Sequence, residues 1–312
     1  MKYLVTGGGG FIGSHIVEFL VRRGDEVRVI DDFSTGRREN LEGFVDRIEL
    51  IEGSLVNEGF VREAAAGVEV VLHQGAIPSV PRSHHDPAAT SEANVRGTLN
   101  VLVAARDAGV RRVVVASSSS TYGDSEKLPK RETDPPNPKS IYAATKLAGE
   151  HYAMVFAEIF ALPVICLRYF NIFGPRQDPA SQYAAVIPKF ITSIAGNEPP
   201  VIFGDGTQSR DFTYIENAVR ANYLAATVEH FPSGEVCNIA CGQRYSLLQL
   251  VETINNILGK DVKPQFAPPR PGDVKHSQAD ISKAKKLLGY EPVISFEEGL
   301  RRTIDFFAGK TL

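Results

Sequence analysis

The feature that most constrains this chain is the run Thr6-Gly7-Gly8-Gly9-Gly10-Phe11-Ile12-Gly13, set between the apolar pair Leu4-Val5 and a helical pattern over 14–23. A strand that turns through glycines into a helix is the opening of a βαβ unit. The chain then repeats the alternation. Gly24 ends the first helix, and strand patterns follow at 26–30 (closed by Asp31), 48–51, 68–73 and 112–117. Helical stretches at 57–66 and 92–108 separate them. This alternation predicts an α/β fold with a parallel, doubly wound sheet. Such sheets bind ligands at the carboxyl ends of their strands, so the residues just after each strand are the candidates for function.

Gly7, Gly10 and Gly13 follow a strand and open a helix. Their missing side chains permit a tight turn and close approach of backbone to a pyrophosphate, and the helix N-terminus favours the anion. Asp31, at the end of the second strand, can accept hydrogen bonds from both hydroxyls of a ribose and would repel a 2′-phosphate. The pattern therefore predicts NAD rather than NADP. Arg37 and Arg38 are the counter-argument and are read as solvated charges.

Tyr142 and Lys146 stand at i and i+4, on one face of a helix that Ser140 can cap and that runs to about 160. A free tyrosine titrates near ~10 and is a poor base at neutral pH. An adjacent ammonium and a cationic nicotinamide favour the phenolate, the tuning that general-base work requires. The hydroxyl-rich run Ser117-Ser118-Ser119-Ser120-Thr121-Tyr122-Gly123 follows a strand at the sheet's carboxyl edge, where a hydroxyl can bind a reacting oxygen.

Residues 128–138 read as a Pro-rich loop and 164–170 as a further strand. After Asn171 the pattern loosens, with turns at Pro199-Pro200, Pro268-Pro269 and Pro271. The strand-like 236–239 is expected to return to the main sheet. The organisation expected is a dinucleotide-binding domain over 1–170 with a return segment at about 212–240. A smaller substrate lobe takes 171–211 and 241–312.

The 312 residues are 43% hydrophobic, enough for a substantial core, and the net charge of −3 gives no nucleic-acid footprint. No apolar run approaches the ~18 residues of a membrane span, and the N-terminus enters a strand without a leader pattern. A cytoplasmic protein is expected. Cys166, Cys237 and Cys241 are odd in number, form no Cys-x-x-Cys, and read as reduced thiols. The seven histidines have no metal-ligand spacing, and no metal site is predicted.

Together these residues resemble the extended short-chain dehydrogenase/reductases, a Rossmann-fold superfamily, and within it the nucleotide-sugar epimerases. The likeness covers nearly the whole chain. It rests on the Gly run with Ser14-His15, on Ser117 to Asp124, on Tyr142 and Lys146, on the segment from Arg168 to Arg176, on Ser209 to Ala218, and on Arg270 to Asp280. Ser79-Val80-Pro81-Arg82-Ser83, Tyr142-Ala143-Ala144-Thr145-Lys146 and His276-Ser277-Gln278-Ala279-Asp280 are most similar to the UDP-N-acetylglucosamine 4-epimerase branch.

The resemblance implies that a UDP-hexose loses hydride from C4 to tightly held, recycled NAD. Tyr142 would take the 4-hydroxyl proton, Ser118 and Ser119 would meet the same oxygen, and Lys146 would bind the nicotinamide ribose. It further implies cofactor contacts at Phe11, Ile12, Asp32, Ser34, Gly36, Gln74, Ala76, Asn94 and Tyr169. Members often carry Gly-Asp after strand three; this chain has Gly53-Ser54-Leu55, which leaves the adenine contact to Ser54 and Leu55. The UDP-sugar contacts implied are Ser79, Val80, Arg82, Asn171, Val186, Arg210, Arg270, Asp273 and Ser277. Ser277 falls where glucose-only epimerases resemble one another in a bulky tyrosine, and a serine leaves room for a 2-acetamido group. Alanine-rich helices near 92–108 and 142–160 imply a homodimer.

Three rivals share the fold or the loop. A 4,6-dehydratase resembles Thr-Asp-Glu where this chain has Ser118, Ser119 and Ser120. A UDP-glucuronate decarboxylase resembles Ser-Glu-Val-Tyr-Gly, and that glutamate is missing here. A non-catalytic NAD-binding sensor would need the Gly run but not Ser118, Tyr142 and Lys146 together.

Overall fold

The computed structural model describes residues 1–178, 186–269 and 274–309. β1 (Lys2–Thr6) passes through the glycine turn into α1 (Phe11–Arg22), followed by β2 (Glu26–Asp31) and β3 (Glu49–Glu52). α2 (Glu58–Ala65) carries the chain back to β4 (Val70–His73). Three helices, α3 (Val80–His85), α4 (Pro87–Ser91) and α5 (Gly97–Asp107), precede β5 (Arg112–Ser118). α6 (Ile141–Phe160) leads to β6 (Val164–Tyr169). Beyond it come α7 (Val186–Ala195), α8 (Ile215–Thr227) and β7 (Glu235–Ile239).

The seven strands form one parallel sheet in the order β7-β6-β5-β4-β1-β2-β3. The sheet is α/β and doubly wound, as the alternation predicts. Alternate residues of β1 feed opposite faces: Tyr3 and Val5 enter the core with α1 and α8, while Leu4 enters the core with α2, α5 and α6. Fully burying each such apolar side chain contributes roughly 1.5–3 kcal/mol, so both faces of the sheet are anchored. β1 is flanked by β2 on one side and β4 on the other, and Thr6 pairs with both Ile30 and His73. The chain's strand order reverses between β1 and β4, which opens a crevice at their carboxyl ends.

Two helices differ from expectation. α1 begins at Phe11 rather than 14, because Gly10 adopts an extended cap conformation (φ −75°, ψ 173°). The helix expected over 92–108 starts earlier, at Pro87, where the Asp86 carboxylate accepts the Ala89 N–H at 3.0 Å. It then passes through a π turn over Glu92–Arg96 before α5. A π turn changes the side chains' phase without changing their hydrophobic pattern, so spacing alone does not reveal it.

The segment after Asn171 is built of short strand pairs. Ile172–Phe173 lies beside Thr213–Tyr214, Ser209–Arg210 beside Tyr245–Ser246, and Val201–Phe203 beside Gln265–Ala267. Helices Leu247–Leu258, Ser282–Leu288 and Phe296–Phe307 send Leu250, Leu288 and Leu300 into the core that also receives Tyr3 and Val5. β7 returns to the sheet edge beside β6, as expected of 236–239. Among the described residues no helix is long and apolar enough to cross a membrane.

Candidate active site

A cavity of about 460 Å³ opens at the crevice between β1 and β4. Its floor is the glycine turn. Gly7 has φ +66°, and a Cβ there would lie 2.6 Å from Gly75 Cα; a Cβ on Gly13 would lie 2.1 Å from the Gly7 carbonyl oxygen. The turn after β1 and the turn after β4 can touch only because these side chains are missing. Gly7, Gly10, Phe11, Ile12 and Gly13 all line the cavity. The first-turn N–H groups of α1, which a helix leaves without intrahelical acceptors, stand at this wall.

Asp31 closes β2 and is 8% exposed. Its carboxylate accepts the Gly9 N–H and the Phe33 N–H, both at 2.8 Å. Burial pushes its pKa up, and these two bonds oppose the rise. Gly36 packs on the carboxylate rather than lining the cavity, its Cβ position lying 3.0 Å from Asp31 Oδ1. Asp32, Ser34, Ser54 and Leu55 complete this end, with Gln74, Ala76 and Tyr169 further along. Arg37 pairs with Asp178, and Arg38 pairs with Glu52 while stacking 4.3 Å over the Phe33 ring. Both guanidinium groups thus have carboxylate partners, which argues against a 2′-phosphate there. Anion-binding helix terminus, acidic strand end and cavity size all fit a dinucleotide.

At the other end stand Tyr142 and Lys146. The Ser140 hydroxyl caps α6 by accepting the Ala143 N–H at 3.1 Å, as the sequence predicts. The Tyr142 N–H donates to the Ser83 hydroxyl at 3.1 Å, which ties α6 to α3. Ser79 and Arg82 of that connection line the cavity; Val80 is exposed and does not. Lys146 donates to the Ala116 carbonyl at 3.0 Å, and burial lowers its pKa to about 8.

The expectation that Lys146 lowers the pKa of Tyr142 is corrected in part. Burial raises the phenol's pKa, and the opposing influence is a hydrogen bond with Ser118. The ammonium is turned toward the β5 carbonyl instead. His73, below this pair, is wedged between the Thr6 and Thr98 hydroxyls at 2.7 and 2.9 Å; burial lowers its pKa to about 3, so it is neutral.

Ser118 ends β5 beside Tyr169 of β6, and Ser119 begins a 3₁₀ turn running to Tyr122. Ser117, not singled out from the sequence, lines the cavity where Ser118 and Ser119 do not. Asn94 also departs from its expected role as a cofactor contact. It is 2% exposed, accepts the Ile77 N–H at 2.7 Å and donates to Thr145 at 3.0 Å, so it braces the loop after β4 against α6.

Others expected at the UDP-sugar gather elsewhere, around Ser209–Arg210. Asn171 donates to the Asp211 carbonyl at 3.1 Å, Arg210 donates to the Ser209 and Lys275 carbonyls, and the Ser277 N–H donates to the Ser209 carbonyl at 3.0 Å. Val186 starts α7 and is partly buried. Arg270 and Asp273 lie outside the described residues. A second cavity borders this group, walled by Phe203, Phe266, Gln208 and Lys275, none of which the sequence reading picked out. Gln208 Oε1 is buried there without a partner. Cys166, Cys237 and Cys241 are all free.

Known proteins resemble the chain over nearly its whole length. Residues 3–240 match the NAD dependent epimerase/dehydratase family. The chain is 37% identical to a UDP-glucose 4-epimerase of Mycolicibacterium smegmatis over 317 residues, covering 100% of both. It is 34% identical to a UDP-glucuronate 4-epimerase of Thermodesulfobacterium geofontis, covering 97% of this chain and 95% of the relative. Among solved structures it superposes on the UDP-N-acetylglucosamine 4-epimerase of Methanobrevibacter ruminantium with a TM-score of 0.94, at 39% identity, covering 99% of this chain and 98% of the other.

Proposed function

Because the chain belongs to the NAD-dependent epimerase/dehydratase family, we propose that it inverts C4 of UDP-hexoses through a transient 4-keto sugar, acting on UDP-N-acetylglucosamine and also on UDP-glucose. The observation that carries this reading is Tyr142, hydrogen-bonded to Ser118 and one helical turn from Lys146, at the far end of a cavity that opens on the glycine turn and Asp31. NAD, when bound, would supply the acceptor for the C4 hydride and its donor back to the opposite face of the 4-keto carbon. Gly7 to Gly13 would hold its pyrophosphate and Asp31 its ribose. Tyr142, hydrogen-bonded to Ser118, takes the 4-hydroxyl proton and gives it back, and Lys146 holds positive charge one helical turn away. The hydride taken from C4 goes back to C4, so the net redox change is zero and the cofactor need not depart.

The group around Asn171, Arg210 and Ser277 takes the UDP end, and the forked donors of arginine suit its phosphates. Ser277, small and partly buried, supports room for an acetamido group. Residues 1–170 with 212–240 form the cofactor lobe in this reading, and 171–211 with 241–312 the substrate lobe. The exposed apolar face of α6, on which Ile159 is 67% exposed, supports a homodimer, which the solution mass by light scattering checks.

The test is incubation with UDP-N-acetylglucosamine, UDP-glucose or UDP-glucuronate, with no NAD added, followed by NMR of the anomeric protons. Conversion of the first two supports the reading. Conversion of the glucuronate alone replaces the substrate and keeps the chemistry. No conversion of any of them sinks it.

A further inference from the structure

Resting on Tyr142 and Lys146 as the reactive pair, we propose that Glu150 is a positioning residue. It supplies the counter-charge to the Lys146 ammonium and, through Ser117 and Arg168, fixes the end of β5 against α6.

Glu150 continues the stripe of α6 that starts at Tyr142 and Lys146, one turn further on. It is 1% exposed, and its partner Arg168 is 4% exposed. The pair is bidentate, with Arg168 Nε donating to Oε1 at 2.8 Å and Nη2 to Oε2 at 2.7 Å. The Ser117 hydroxyl donates to the same Oε1 at 2.5 Å. Arg168 is itself held, 4.6 Å over the ring of Tyr122, whose hydroxyl donates to Asn238 of β7 at 2.8 Å.

A buried ion pair is a poor source of net stability, because desolvation offsets most of the attraction. Its placement is the informative part. Three consecutive residues at the end of β5 each meet one member of the stripe: the Ala116 carbonyl meets Lys146, Ser117 meets Glu150, and Ser118 meets Tyr142. Ser117 is also in register with Arg168 on β6. The carboxylate thus sits where it sets the spacing between the serine edge and the helix.

The other titratable groups facing this point are Cys166 on β6 and His73 on β4, with Cys237 of β7 behind Cys166. Burial pushes the Cys166 thiol well up and the His73 imidazole down, so both are neutral at neutral pH. The anion left for Lys146 to feel among these groups is Glu150, whose charge the bidentate Arg168 cation offsets in part. Burial drives the Lys146 pKa down to about 8, and Glu150 opposes that fall.

The test is a pH titration of Lys146 in full-length protein carrying ¹³Cε-labelled lysine, with Lys146→Arg to assign the signal. In Glu150→Gln the Lys146 midpoint is expected to fall by about one pH unit, the effect of removing a nearby opposite charge. The alkaline limb of kcat should move down with it, while KM for the UDP-sugar changes less than about twofold. A purely structural role would lower the melting temperature and leave the midpoint in place, and that result overturns the proposal. Should Glu150→Gln fail to fold, the double variant Glu150→Met/Arg168→Met replaces the pair by apolar volume; a smaller fall is expected, because loss of the Arg168 cation offsets part of it, and an unmoved midpoint is again fatal. The NMR midpoint does not depend on turnover. Inactivity of the wild type on every UDP-sugar would defeat the epimerase reading alone and leave the Glu150 question decided by the titration.

Discussion

The two clefts are held together by different means. The cavity at the β1–β4 crevice is made of turns that each follow a strand of one sheet, and its critical contacts are backbone contacts, such as Gly7 against Gly75. The cleft around Ser209–Arg210 is assembled from segments far apart in sequence, and side-chain bonds tie them, those of Asp211 chief among them. Asp211 is fully buried; it accepts the Cys241 N–H at 3.0 Å on Oδ1, and the Gly242 and Ala279 N–H groups at 3.0 and 3.1 Å on Oδ2. The first cleft should therefore tolerate many side-chain changes and fail at a glycine. The second should depend on the Asp211 side chain.

The sharpest break acts on the chemistry that joins the clefts. Tyr142→Phe removes the proton acceptor and leaves the cavity walls in place, so kcat should fall on the order of 10²–10⁴-fold with little change in KM, as NMR of sugar turnover would show. Gly7→Ala breaks the first cleft alone. The added Cβ meets Gly75 Cα at 2.6 Å, at a φ of +66°. Strain of about 1–3 kcal/mol should appear as loss of co-purifying NAD, measured as cofactor released on denaturation. Unchanged cofactor content would mean that the turn can move and that the backbone account of this cleft is wrong.

The same contrast explains what the sequence shows. The strands, the glycine turn, Asp31 and the Ser140-capped stripe with Tyr142 and Lys146 are local features, and local periodicity and capping disclose them. The resemblance places Asn94 at the cofactor; the bonds that commit its amide to Ile77 and Thr145 are tertiary and have no periodic signature. Asp211 reads as one acid in a polar motif, since its partners are backbone groups supplied by tertiary folding. Charged residues are seldom fully buried unless paired, and the pairing of Glu150 with Arg168 is supplied by tertiary folding rather than by local pattern. The one available signal was that Glu150 extends the i, i+4 stripe of Lys146 by a further turn.

Smaller effects probe the second cleft. Ser277→Tyr should lower kcat/KM for UDP-N-acetylglucosamine on the order of 10–100-fold by steric exclusion, with turnover of UDP-glucose retained. Equal loss on both sugars, measured side by side, would show that Ser277 does not face the 2-substituent.

The smallest expected effect is in Asp211→Asn, which leaves one acceptor oxygen for three N–H donors. Unsatisfied buried donors cost about 1–3 kcal/mol, and KM for UDP-sugars should rise while NAD is retained. The pH dependence gives this prediction its sign. Burial raises the Asp211 carboxyl to about 7 from its ordinary 3.8. The folded state then holds a proton that the unfolded state releases between about pH 4 and about pH 7. That contribution to stability is fully present below about pH 4 and is lost as pH rises through about 7. Urea midpoints of wild type and variant should therefore lie furthest apart on the acid side of that window and converge toward neutral pH. A gap that widens with pH would mean that the three N–H donors hold Asp211 ionised throughout. The cleft would then be fastened by a permanent carboxylate, and acidification rather than neutral pH would be what loosens it.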